Sequence, residues 1–91
     1  MLNLQRLEIF IAVVNTGSFT GAAASLGLTK AVVSFNVKQL ERETGVALLT
    51  RSTRRLALTE SGERFYLRCQ DLLQEAEAVL DDVRREHGGL S

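Results

Sequence analysis

One stretch of the sequence combines small, hydroxyl-bearing and cationic side chains at helical spacing. Val33, Val37 and Leu40 recur at intervals of one helical turn and form an apolar stripe. The side chains opposite that stripe are those of Ala31, Ser34, Phe35, Lys38 and Arg42. A hydroxyl can bond to a base edge, a cation can bond to a phosphate, and small residues allow close approach in a major groove. The stretch therefore predicts a recognition helix, residues 29–44, that enters duplex DNA.

The candidate base-reading residues belong to this helix and its first turn. They are Thr29, Lys30, Ala31, Ser34, Phe35 and Lys38. Phe35 allows two interpretations, because its ring could fold back onto neighbouring apolar surface or could contact the methyl group of thymine. Both remain open at the level of the sequence.

A second group of polar residues follows the predicted recognition helix. The run Arg51-Ser52-Thr53-Arg54-Arg55 lies between two short apolar segments and is typical of a hairpin tip, or wing. Its cations could reach phosphates or a neighbouring minor groove. The candidate phosphate-binding residues are Ser18, Arg42, Arg51, Ser52, Thr53, Arg54 and Arg55.

The formal net charge is zero, but the charges are unevenly distributed along the chain. Residues 1–58 carry seven cations and three anions, whereas residues 59–91 carry four cations and eight anions. One part of the molecule can therefore approach a polyanion while the other part stays away from it.

Capping residues and glycines divide the chain into elements, because serine and threonine favour helix starts and glycine favours helix ends. The expected caps are Ser18, Thr29 and Thr59, and the expected helix ends are Gly17, Gly27 and Gly45. The expected elements are helices 4–16, 19–26, 29–44 and 60–86, with strands 47–50 and 56–58 before the last helix. Ala22 and Ala23 precede the short turn at Gly27 and would let the second and third helices pack closely, as in a helix-turn-helix. A purely structural helical hairpin is the alternative.

These elements predict a mainly α fold with two parts. Residues 1–58 would form a winged helix-turn-helix of three helices and a short β-hairpin. Residues 59–91 would form a long linker helix and a C-terminal tail, the helix being about 40 Å long at ~1.5 Å per residue.

The last helix carries an apolar stripe that is too broad for a small domain to cover. Its apolar residues alternate at spacings of four and three, as in a coiled coil. Phe65 and Tyr66 are expected to pack on the helix's own domain. The expected homodimer interface consists of Cys69, Leu72, Leu73, Ala76, Val79, Leu80 and Val83. A two-fold dimer would place two recognition helices on half-sites about 34 Å apart or further.

Taken in order, these residues resemble the N-terminal DNA-binding domain of LysR-type transcriptional regulators over residues 4–85. The resemblance is carried by Leu4-x2-Leu7-x2-Phe10, by Gly17-Ser18-Phe19-Thr20-x-Ala22-Ala23-x2-Leu26, by Val33-Ser34-x2-Val37-x2-Leu40-Glu41-x3-Gly45-x2-Leu48-Leu49-x-Arg51, and by Arg54-x3-Leu58-Thr59-x2-Gly62. It implies a winged helix-turn-helix on a linker helix through which two subunits dimerise. It also implies binding to partly palindromic promoter sites in double-stranded DNA.

The sequence departs from the family pattern on the expected base-reading surface. Lys30 stands where the family usually has glutamine, and Phe35 stands where arginine or histidine is common. The recognised base sequence therefore does not follow from the resemblance. The resemblance also implies a C-terminal domain that binds a small-molecule co-inducer, which these 91 residues lack, so no small-molecule site is expected in this chain.

The composition argues against other classes of function. A single cysteine and a single histidine do not make a metal-ligand cluster, and we expect no cofactor. The sequence has no nucleophile–histidine pair and no glycine-rich phosphate loop, so an enzyme is not expected. It has no apolar run long enough to span a membrane and no signal-peptide pattern, which favours a cytoplasmic protein. A dimerisation and protein-interaction module that has lost DNA binding remains the alternative, favoured by the zero net charge and by Phe35.

Overall fold

The computed structural model describes residues 3–51 and 55–86 of the chain. Three helices, a two-stranded sheet and a long fourth helix follow one another along these residues. Their bounds are α1 Leu4–Thr16, α2 Phe19–Leu26, α3 Lys30–Thr44, β1 Leu49–Arg51, β2 Leu56–Leu58 and α4 Glu60–Glu86. The expected fold, a winged helix-turn-helix followed by a long helix, is confirmed.

Side-chain caps explain where the first three helices begin. Each capping oxygen accepts a hydrogen bond from a backbone N–H of the first turn, which would otherwise have no partner inside the helix. The caps are Asn3 to the amide of Arg6 at 3.2 Å, Ser18 to that of Gly21 at 2.8 Å, and Thr29 to that of Val32 at 3.1 Å. The expected caps Ser18 and Thr29 are thus confirmed.

The turn between α2 and α3 depends on Gly27. This residue has a φ of 67°, in the left-handed region that residues with a side chain rarely adopt. The next amide, that of Leu28, returns to the carbonyl oxygen of Ala23 at 2.9 Å. This tight reversal lets α3 begin at once and cross α2 over the buried Ala22 and Ala23.

A small apolar core lies where the first three helices meet. Phe10 and Val13 of α1, Ala22 of α2, and Val33 and Val37 of α3 have no exposed surface at all. Because α3 contributes one stripe of side chains to this core, its opposite stripe faces outwards.

The two strands form an antiparallel hairpin in which Leu49 pairs with Leu58 and Arg51 pairs with Leu56. The first strand begins at Leu49, two residues later than the sequence predicted. The preceding backbone groups have other partners. The hydroxyl of Thr59 donates to the carbonyl oxygen of Ala47 at 2.7 Å, and the amide of Thr59 donates to that of Leu48 at 3.0 Å.

The start of α4 is fixed against this hairpin. Thr59 caps the helix by accepting a hydrogen bond from the amide of Gly62 at 2.9 Å. Gly62 is buried, and a Cβ atom placed on it would overlap the carbonyl oxygen of Leu48. The helix can approach the strand this closely because residue 62 has no side chain.

The first half of α4 also packs along α1. The rings of Phe10 and Phe65 meet edge to face with centroids 5.4 Å apart. The hydroxyl of Tyr66 donates to Asn15 Oδ1 at 2.5 Å and accepts from Gln70 Nε2 at 2.9 Å. The expectation that Phe65 and Tyr66 pack on their own domain is confirmed. The second half of α4 extends beyond this contact and contributes to a long dimension of 52 Å, against 25 and 22 Å in the other directions.

Candidate nucleic-acid interface

The outward stripe of α3 is open to solvent over the length of the helix. Phe35 is 57% exposed, whereas Val33 and Val37 on the opposite side are fully buried. Of the residues expected to read bases, Ser34 is half-buried and the others are exposed: Thr29, Lys30, Ala31, Phe35 and Lys38. Arg42, expected on a phosphate, is exposed at the end of the same stripe. The fold therefore brings these side chains together on one surface, which we call the α3 face.

Most of the polar groups of the α3 face are not engaged within the protein. Arg42 Nη1 donates to Gln39 Oε1 at 2.9 Å, and the Thr29 hydroxyl serves as the helix cap. Within residues 3–51 and 55–86, no ion pair or side-chain hydrogen bond involves Lys30, Ser34 or Lys38. Two cations and a hydroxyl are thus available to a ligand.

Arg6 holds α3 in position from the first helix. Its Nε donates to Asn36 Oδ1 at 2.9 Å, and its Nη1 pairs with Glu43 Oε2 at 3.2 Å. The arginine side chain is 16% exposed and that of Glu43 is 44% exposed, so water reaches this pair from the glutamate side. This role was not predictable from local sequence patterns, because the partners lie 30 and 37 residues away along the chain.

Glu41 connects the end of α3 to the start of the hairpin. Its carboxylate oxygen Oε2 accepts hydrogen bonds from the amides of Leu48 and Leu49, at 2.8 and 3.3 Å. These two buried residues need partners for their N–H groups, and an acid in the last turns of the preceding helix can supply one. The sequence signal that could have identified Glu41 is an acidic residue near the end of a helix, followed by the apolar pair Leu48-Leu49.

The hairpin carries the basic run at the point where its two strands connect. Arg51 ends β1, and Arg55 is exposed immediately before β2. Ser52, Thr53, Arg54 and the side chain of Arg51 lie outside the described residues. Ser18, expected on a phosphate, is half-buried, and its hydroxyl is already the acceptor that caps α2.

The apolar residues of α4 differ in how far the protomer buries them. Leu72, Val79, Leu80 and Val83 are 42–55% exposed, and Leu73 and Ala76 are half-buried. Cys69 is 3% exposed and belongs to the core. Its expected place in a dimer interface is therefore corrected to the core of the protomer. Burial raises the pKa of its thiol from 9.0 to about 11, because the thiolate would lose its hydration.

An open groove lies beside the exposed part of α4. Its volume is about 540 Å³, and it runs between α4, α1 and the end of α3. Its lining is mostly apolar, with charged groups at Glu43 and Arg68: Leu7, Leu40, Glu43, Thr44, Phe65, Arg68, Cys69 and Leu72. Apolar surface thus continues from the groove onto the outer half of the helix.

In residues 3–51 and 55–86, no group of three or more histidine, cysteine, aspartate or glutamate side chains could hold a metal ion. No helix in that part of the chain is long and apolar enough to cross a membrane.

The family model of bacterial regulatory helix-turn-helix proteins, lysR family, matches residues 4–63. Similar proteins include the HTH-type transcriptional regulator PtxR of Pseudomonas aeruginosa, with 45% identity over 87 residues that make up 96% of this chain. The HTH-type transcriptional regulator CrgA of Neisseria meningitidis is 42% identical over 85 residues, or 93% of this chain. This chain spans 28% of the length of each of these relatives.

Solved structures resemble the whole arrangement of elements. The structure of a BenM_DBD/catB site 1 DNA complex has a TM-score of 0.91 and 33% identity, and the match covers 97% of this chain and 99% of that one. A CbnR_DBD–DNA complex has a TM-score of 0.87 and 30% identity, with 94% and 99% covered. With the family match over residues 4–63, the chain belongs to the lysR family of bacterial regulatory helix-turn-helix proteins.

Proposed function

We propose that this chain binds double-stranded DNA in a sequence-specific way, with α3 in the major groove. The observation that carries the proposal is the division of α3 into a buried stripe and an open α3 face with unengaged cations and a hydroxyl. The similar structures of BenM_DBD and CbnR_DBD in complex with DNA support it. No catalytic activity and a cytoplasmic location are parts of the same proposal.

The α3 face divides between reading bases and binding the backbone. Ser34 and Lys38 can donate hydrogen bonds to base edges, while Ala31 lets the helix approach closely. Thr29 and Lys30 lie at the start of the helix, whose N-terminal residues contact base edges in a helix-turn-helix. Arg42 at the other end can meet a phosphate.

The hairpin supplies backbone contacts beside α3. We propose that Arg55, with Arg51, Ser52, Thr53 and Arg54, meets phosphates or a neighbouring minor groove. The Glu41 carboxylate fixes the distance between α3 and this wing through the amides of Leu48 and Leu49. Ser18 can add a phosphate contact by donating its hydroxyl proton, since its oxygen already accepts from Gly21.

The exposed half of α4 supports a homodimer. Leu72, Val79, Leu80 and Val83, with Leu73 and Ala76 beside them, leave an aliphatic surface that a monomer would expose to water. A second copy related by a two-fold axis can cover it with the same residues. Two recognition helices would then meet a partly palindromic site with half-sites about 34 Å apart or more.

The test compares variants on two DNA sequences. Duplexes bound by the 91-residue chain are selected from a random pool, and a bound and a scrambled duplex are titrated in gel-shift assays. Ser34→Ala and Lys38→Ala should change the ratio between the two affinities, because these residues contact bases. Arg55→Ala should weaken both alike and reduce the dependence on salt. Arg64→Ala, which removes an exposed cation from α4, is the matched control and should change neither.

Equal losses for Ser34→Ala, Lys38→Ala and Arg55→Ala on both duplexes would refute the division of labour. A chain that binds no duplex at low salt would refute the function itself. It would favour the second candidate, a protein-interaction module, for which the exposed ring of Phe35 is the supporting observation. Retention on heparin at low salt separates these two candidates.

A further inference from the structure

We propose that Phe35 recognises the 5-methyl group of thymine in the major groove and so sets part of the sequence preference. The proposal rests on the proposed function, since it requires that the α3 face enters DNA. It assigns a chemical role to the side chain at the middle of that face.

Phe35 is exceptional among the four phenylalanines of the chain, all of which the structure describes. Phe10 is fully buried, and Phe19 and Phe65 are partly buried and pack against the core. Phe35 is 57% exposed and is not among the side chains that pack against the core. The ring has not folded back onto the protein, so of the two interpretations of the sequence only the outward one remains.

The position of the ring points to bases rather than phosphates. Ala31 lies one turn before Phe35 on the same stripe, Lys38 one turn after it, and Arg42 two turns after it. Small Ala31 leaves room beside the ring for a base edge to approach. When Arg42 meets a phosphate and Ser34 and Lys38 meet base edges, the ring between them lies over the floor of the groove.

The chemistry of the ring selects its partner. A phenyl group offers no donor or acceptor, and the apolar group that a base pair presents in the major groove is the thymine 5-methyl. Val32, one turn before Phe35 on the flank of the face, is 41% exposed and extends the apolar surface. On that flank the amide of Asn36 is already used, by the carbonyl oxygen of Val32 at 2.8 Å and by Arg6. An apolar contact therefore suits this part of the face better than a polar one.

The test removes the methyl group and leaves the rest of the base unchanged. In a duplex selected by the chain from a random pool, each thymine is replaced in turn by deoxyuridine, and dissociation constants are measured by fluorescence anisotropy. For the original chain, at least one replacement in each half-site should weaken binding about fourfold, the value of one buried methyl-sized group. The same replacement should leave the affinity of Phe35→Ala unchanged, because that variant has no ring to lose the contact.

Two further variants make the comparison specific. Phe35→Leu keeps an apolar side chain and should keep part of the deoxyuridine penalty. Leu67→Ala removes a comparably exposed apolar side chain from α4 and should keep the full penalty. Should Phe35→Ala bind weakly, lower salt restores measurable binding through the phosphate contacts without changing the comparison.

Each outcome bears on one of the two proposals. Specific binding with no deoxyuridine penalty at any position, or the same penalty in Phe35→Ala as in the original chain, would overturn the role of Phe35 and leave DNA binding standing. Failure of the original chain to bind any duplex would overturn the proposed function itself. A penalty that disappears only in Phe35→Ala would support the inference.

Discussion

The two halves of α4 have the same spacing of apolar residues but very different surroundings. In the first half, Gly62 lies against the carbonyl group of Leu48, Phe65 contacts Phe10, and Tyr66 bonds to Asn15. In the second half, the aliphatic side chains from Leu72 onwards are about half exposed. A heptad pattern predicts that a helix face packs against a partner. The rest of the fold decides whether that partner belongs to the same protomer.

This difference separates a fixed junction from an open surface. The junction joins α4 to α1 and to the hairpin, and these contacts orient the long helix relative to α3. The open surface is then available for a second copy, and its geometry would determine the spacing of two α3 faces. The comparison can be tested at both ends of the helix.

The largest effect is expected at the junction. In Gly62→Ala the new methyl group would overlap the Leu48 carbonyl oxygen, so α4 has to move away from the strand. That movement weakens the Thr59 bonds to Ala47 and Leu48. We expect a loss of about 3 kcal/mol in the free energy of unfolding, measured by urea denaturation. If Gly62→Ala unfolds at the same urea concentration as the original chain, the junction is not tight. Glu75→Ala is the surface control, and an equal loss of stability in it would mean that the effect is not specific to the junction.

The next effect is expected at the open surface. In Val79→Glu a charge replaces an apolar side chain that is 55% exposed in the protomer. Two such charges would face each other across a two-fold interface, so the dimer dissociation constant should rise roughly 100-fold. Sedimentation equilibrium measures it. Leu67→Glu is the matched control, because Leu67 is 59% exposed on the opposite side of α4. If the control dissociates the dimer as strongly as Val79→Glu, the interface lies elsewhere.

A smaller effect comes from the thiol between the two halves. The pKa of Cys69 is raised by burial to about 11, so the folded protein keeps the thiol proton where the unfolded chain loses it. This contribution to stability is complete below pH 9 and is lost as the pH rises towards 11, at about 1.4 kcal/mol per pH unit. Urea denaturation from pH 8 to 11 should show this slope. Subtracting the profile of Cys69→Ala isolates the contribution of the thiol. Equal slopes in both proteins would place the thiol in contact with water.

The smallest effect is expected from the bond between α1 and α4. Tyr66→Phe removes the hydroxyl that joins Asn15 to Gln70 and should cost about 1 kcal/mol. The partner Asn15 is exposed and can bond to water instead, which keeps the loss small. In a double-mutant cycle read by thermal denaturation, Asn15→Ala should add little once the hydroxyl is gone. Full additivity would mean that the bond contributes nothing to the junction.

Local signals predicted the elements well. Ser18, Thr29 and Thr59 cap helices as expected, and Gly27 makes the turn between α2 and α3. These features depend on residues within one helical turn of each other, so the sequence contains the information. The division of the chain at residue 58 stays a prediction.

Features that depend on distant residues were not predictable in the same way. Cys69 and Leu72 share one heptad stripe but lie about 60° apart around the helix, and the position of α1 decides which one is buried. Glu41 and Arg6 hold α3 through partners on other elements. The strand β1 begins later than predicted because Thr59 donates hydrogen bonds to the carbonyl oxygens of Ala47 and Leu48. The sequence likewise left the orientation of Phe35 open, whereas the fold exposes its ring to solvent.

The central claim, that the α3 face enters duplex DNA, is tested most directly by nuclear magnetic resonance. Backbone amide signals of the 91-residue chain are followed while a selected duplex is added. We predict that the largest changes fall on Ala31, Phe35 and Lys38 and on the wing, while the amides of Val79 and Val83 change little. Changes concentrated on α4 with α3 unaffected would contradict the claim.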